Sequence, residues 1–90
     1  GMELRGLTDE LRNRFNIRAK EGVLVVAVKP GSPAHMAGIR PGMVIQEVNR
    51  KPVQSVEDFN SQVRGNEGEQ ILLLVSFRGQ SSYVIIKPQQ

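Results

Sequence analysis

The amino-acid sequence predicts a small α+β domain with a curled, mostly antiparallel sheet of five to six strands, a partial barrel capped by two to three helices. Three observations carry this prediction. Gly22–Val28 and Gln70–Arg78 are rich in β-branched and apolar residues, the composition of strands inside a sheet. Leu7–Phe15 and Ser55–Val63 instead repeat apolar residues every three or four positions behind a capping hydroxyl, the pattern of an amphipathic helix. Gly79-Gln80 then separates two strand-like runs, so the chain closes on a hairpin.

Taken in order, Met2–Gly6 reads as a short strand with Met2 and Leu4 on one face. Leu7–Phe15 follows as a helix. Thr8 is its N-cap, Asp9 and Glu10 sit at the positive end of the dipole, and Leu11 and Phe15 share a face. Asn16 closes it. Ala19–Gly22 is a polar loop, and Gly22–Val28 is a central strand buried on both faces. In Gly31–Asn49, Ser32 caps a short helix that starts at Pro33 and runs to about Ala37. Gly38 supplies the left-handed residue that stops it, Pro41-Gly42 makes a turn, and Met43–Val48 is a strand. Asn49–Pro52 reads as a turn. In Ser55–Val63, Ser55 and Asp58 approximate a capping box, and Val56, Phe59, Asn60 and Val63 fall at helical spacing. Gly65–Gly68 ends that helix. Gln70–Arg78 and Ser81–Lys87 are the two arms of the hairpin.

Ninety residues make a single domain, 1–90, which buries ~60–65% of its unfolded surface. Gly1-Met2 reads as the junction of a cloned fragment, so the absence of a signal peptide says nothing about compartment. No apolar run approaches the ~20 residues of a membrane-spanning helix, so this segment is not expected to insert into a membrane. The net charge of +3 comes from basic residues scattered along the chain, and aromatics are only 4%. A nucleic-acid surface wants a basic stripe with stacking rings, so none is expected as a partner.

An enzyme reading fails on inventory. There is no cysteine, which removes a disulfide framework, a thiolate nucleophile and a cysteine zinc site. The one histidine, His35, lies in the short helix with no nucleophile elbow around it. The acidic residues lack a calcium-loop spacing, and no glycine pattern cradles phosphate. The segment is therefore expected to hold no catalytic residue, no metal and no cofactor.

The run Gly31–Asn49 resembles the signature of prokaryotic PDZ domains, P-G-S-P-A-x-x-A-G-[IL]-x-x-G-D-x-I-x-x-[VI]-N, over nearly twenty ordered positions. It departs from that pattern at Met43, where the family usually has Asp. The flanks are similar to PDZ domains of the HtrA (Do-like) serine proteases. They match through Leu7-Thr8-x-Glu10-Leu11, Gly22-Val23-Leu24-Val25, Asn49-Arg50-Lys51-Pro52-Val53 and Ser55-Val56-x-Asp58-Phe59. The polar tail 88–90 resembles the end of the C-terminal PDZ domain of such chains.

The resemblance implies the circularly permuted bacterial strand order and a groove that takes extended C-terminal peptides by strand addition. It also implies a parent protein with a trypsin-like protease domain, assembled as an oligomer in the periplasm or cell envelope. Its PDZ domain would capture C-terminal or unfolded segments for protein quality control, or hold neighbouring domains of the oligomer. By family register, Gly1 and Met2 fall in the carboxylate-binding loop, and Met2, Glu3, Leu4 and Arg5 form the edge strand. The groove positions of the helix are then Val56, Asn60 and Val63, while Phe59 turns into the core. The apolar residue that the family places before Gly1 is missing. Relatives that select Ser or Thr two residues before the ligand terminus carry His at the position of Val56, so this groove is expected to prefer an apolar residue there. Two alternatives stay open: a PDZ domain of an intramembrane metalloprotease or C-terminal processing protease, and a docking domain that binds no free peptide.

Overall fold

The computed structural model describes residues 1–66 and 68–87. The strands are β1 (Met2–Gly6), β2 (Val23–Val28), β3 (Val44–Val48), β4 (Lys51–Pro52), β5 (Ile71–Phe77) and β6 (Gln80–Ile86). The helices are α1 (Asp9–Phe15), α2 (Pro33–Met36) and α3 (Val56–Arg64). The sheet runs β1-β2-β3-β5-β6 with β4 paired to β3, and every pairing is antiparallel. Among the described residues this is the expected α+β architecture, with six strands and three helices.

The helix ends follow from local chemistry. The hydroxyls of Thr8, Ser32 and Ser55 accept the N–H of Leu11, His35 and Asp58, each three residues on. Asn16 closes α1 in the left-handed region, and Gly38 beyond α2 has a φ of +96°. The capping box of α3 is displaced by one residue: the Asp58 carboxylate accepts from the N–H of Gln54, not of Ser55. At the departure from the signature, the Met43 sulfur accepts the N–H of Arg40 at 3.4 Å. A weak sulfur acceptor thus ties together the Arg40–Met43 turn.

The core lies between the sheet and α2 and α3. Val23 and Val25 of β2, Ile45 and Val48 of β3, and Leu73 and Val75 of β5 meet Ala34, Ile39, Val53 and Phe59 there. Leu24 and Val44 are as fully buried but pair across β2 and β3 on the opposite face, where Val44 shares a cleft with Phe15 and Ile17.

Three expectations need correction. Burial holds for Gly22–Val25 only, whereas Ala27 is exposed. The ladder to β3 is two pairs long, Val23↔Ile45 and Leu24↔Val44, so the second half of β2 has only β1 beside it. Asn49–Pro52 is not all turn: Asn49 and Arg50 turn with φ of 50° and 69°, and Lys51 and Pro52 pair back on Val48 and Glu47 as β4. The final hairpin turns at Arg78-Gly79, one residue before the predicted Gly79-Gln80. Both turn residues have positive φ, 53° and 82°, matching the twist that a two-residue hairpin loop requires. The tail 88–90 lies outside the described residues.

Candidate functional site

Two elements distant in sequence meet at one border of the sheet. β1 pairs with β2 along one side, and no described strand pairs with its other side. α3 packs against both β1 and β3. A strand edge with unpaired N–H and C=O groups templates the addition of another strand.

The alternation of β1 sorts its side chains. Met2 and Leu4 are half-buried and rest on the core, while Glu3 and Arg5 stay exposed on the other face. Glu3 and Arg5 form an ion pair at 3.2 Å with both side chains more than half exposed, a contact that adds little stability. The β1–β2 register slips between Glu3 and Leu4, which leaves Val26 of β2 as an extra residue and twists the edge.

The helix repeats this division. Phe59 is buried in the core, Val56 and Val63 are half-buried against it, and Asn60 is exposed. Val56, Asn60 and Val63 recur at the spacing of one helix face. The fold therefore sets Gly1 to Arg5 at the edge strand and Val56, Asn60 and Val63 on the helix that packs against it. Met2, Leu4, Val56 and Val63 are apolar and partly buried against the core.

The head of β1 is tightly set. The Lys29 N–H donates to the Gly1 carbonyl at 2.6 Å. A Cβ placed on Gly1 would lie 2.4 Å from the Cβ of Ser32 and 2.7 Å from its hydroxyl, closer than atoms can approach. Ser32 cannot easily yield, because it is buried and its hydroxyl caps α2. Shallow hollows flank this point, one lined by Gly1, Met2, Glu3, Ala27, Val28 and Lys29, the other by Gly1 and the turn from Lys29 to Pro33.

Lys29, which the sequence pattern does not single out, also lies at this point. It makes no ion pair among the described residues and stands beside the head of the edge strand. The signal that could have found it is the β1–β2 pairing, which sets Met2 opposite Val28 and so carries Lys29 to Gly1. His35 is exposed and its Nδ1 accepts the Gly31 N–H at 3.2 Å, a local loop contact. Among the described residues no group of acidic, histidine or cysteine side chains could hold a metal ion, and no helix is long and apolar enough to cross a membrane.

A free strand edge with a helix packed beside it is a geometry shared with folds such as PDZ domains. The chain belongs to the PDZ domain family: the family model for the PDZ domain matches residues 24–76. Its relatives are HtrA-type serine proteases. A protein of Chlamydia trachomatis named as a probable periplasmic, DegP-like serine endoprotease is 37% identical over the whole of this chain. The chain spans 18% of that relative's length. The crystal structure of the HtrA3 PDZ domain bound to a phage-derived ligand, FGRWV, superposes with a TM-score of 0.84 at 26% identity. That match covers 99% of this chain and 82% of the other. The HtrA-type protease AlgW with a decapeptide gives 0.87 at 27% identity, covering 97% of this chain and 27% of AlgW.

Proposed function

We propose that this domain binds extended peptides with apolar, free C-termini by adding them as a strand to β1. The observation that carries the reading is the unpaired edge of β1 with α3 packed beside it, and Met2, Leu4, Val56 and Val63 half-buried on these two elements. A ligand strand antiparallel to β1 places its C-terminus at Gly1. There the backbone around Gly1 and the ammonium of Lys29 would receive the carboxylate. The peptide-bound HtrA3 and AlgW structures support this use of the fold.

Val56 sets the preference two residues before the terminus. It offers no hydrogen bond to a ligand hydroxyl, and an unpaired buried hydroxyl costs about 1–3 kcal/mol. A short peptide buries little area and must be ordered, so Kd falls in the range of roughly 1–100 μM. In the parent protein, a periplasmic serine endoprotease of the DegP type, the domain would present substrate or regulatory C-termini in protein quality control. Contacts with other domains of the oligomer are a second use of the same face. The test is fluorescence anisotropy with paired peptides that carry Val or Thr two residues from a free C-terminus. Tighter binding of the Val peptide by about fivefold or more supports the reading, and equal or reversed affinities remove Val56 from the site.

A further inference from the structure

The groove uses one border of the sheet, and the opposite border is β6. Proteins protect such edges with charges, prolines, bulges or short strands. β1, the edge proposed to take a peptide, carries the exposed charges Glu3 and Arg5. β6 carries no charge, proline or register slip, although α2 packs against it. It is Gln-Ser-Ser-Tyr-Val-Ile-Ile, seven residues paired in unbroken register with β5 and free of charge or proline. Among the described residues nothing pairs with its other side.

The face beside this edge is also unusual. Tyr83 is 59% exposed and Ile85 50%, although both sit in a strand. They pair across β5 with Leu74 and Leu72, which are half-buried on the same face. The alternate residues Val84 and Ile86 turn inward to the core. An apolar row thus runs along the outer face up to the unpaired edge.

We propose that β6 is a pairing edge for a second copy of this chain, joined antiparallel across a two-fold axis at Val84. Self-pairing is singled out by composition. A two-fold sets a strand beside itself, so any charge in it would lie near its own copy, and β6 carries none. With Val84 opposite the partner's Val84, Tyr83 faces the partner's Ile85, an aromatic–β-branched pair repeated on both sides of the axis. The outer face then reads Leu74, Tyr83, the partner's Ile85 and the partner's Leu72 in one continuous row. The competing register centred on Tyr83 would spend Ile85 against the partner's Ser81. The pairing leaves β1 and α3 free, so it is independent of peptide binding. One strand and four side chains a copy fall below the ~1,200 Å² of a standard interface, which makes the dimer weak.

Sedimentation equilibrium tests this between about 10 μM and about 1 mM, the range suited to a weak interface. The weight-average mass is expected to climb from the 10.0 kDa of the monomer as concentration rises. Ile85→Lys weakens association at least about tenfold, because it sets an ammonium into the apolar pair. Tyr83→Glu/Ile85→Lys restores association, since this register then sets opposite charges across the axis twice. Both positions are half-exposed, and unchanged melting curves confirm that the variants fold. A mass that stays at 10.0 kDa to the highest concentration overturns the proposal. So does an Ile85→Lys variant that associates as well as the parent, or a monomer whose β6 amides shift only when peptide is added.

Discussion

Val56→Asp separates binding from folding, because Val56 is the first residue of α3 and only half-buried. Fully burying a valine contributes ~1.5–3 kcal/mol, so half of that contact is worth about 1 kcal/mol to the fold. A carboxylate in the first turn returns about 0.3–1 kcal/mol through the helix dipole, at the low end here because Glu57 and Asp58 already occupy that turn. The net cost is below about 1 kcal/mol, and the melting temperature falls by no more than about 6 °C. The ligand loses more. It forfeits an apolar wall worth about 1 kcal/mol and meets a carboxylate that must be partly desolvated, about 1 kcal/mol again. Together these weaken an apolar C-terminal peptide by about thirtyfold. Isothermal titration calorimetry reads the affinity, and circular dichroism reads the fold. A variant that melts normally and binds within threefold of the parent would show that this helix does not line the site.

Three further outcomes follow from the same geometry. Asn60→Arg, at an exposed groove position, leaves the melting temperature within about 2 °C but weakens peptide binding several-fold by anisotropy, since its long side chain crosses the groove. Gly22→Ala costs at least about 3 kcal/mol in urea unfolding: φ is +133°, and the new Cβ would lie 2.6 Å from Val44 Cγ1 and 2.7 Å from the Ile45 carbonyl. Asn49→Ala costs about 1–3 kcal/mol by the same assay, because the Asn49 side chain accepts the Leu72 N–H at 3.0 Å and its backbone turns at a φ of 50°.

The parts of this fold that could be read from the sequence are those decided within three or four residues. Thr8, Ser32 and Ser55 announce helix starts because a hydroxyl reaches only the N–H groups of its own first turn. Val56, Asn60 and Val63 could be placed on one helix border because spacing alone sets a helix face. What depends on pairing between distant strands was not legible. The hairpin turn moved by one residue because both of its positions need positive φ, and Arg78 is not a residue that advertises this. β4 is two residues long and exists only because β3 offers it an edge. Lys29 belongs to a loop until the β1–β2 register carries it to Gly1. The fit of Gly1 against Ser32 is likewise a tertiary contact between residues far apart in sequence.

If a peptide lies between β1 and α3 with its free C-terminal carboxylate at the head of β1, an amide-resolved NMR titration with one apolar peptide, as free acid and as C-terminal amide, reads it directly. Shifts are expected in Met2–Arg5, in Lys29 and in Ser55–Val63 with the acid, and are lost with the amide. Equal responses to both forms, or shifts that avoid β1 and α3, would overturn this binding mode.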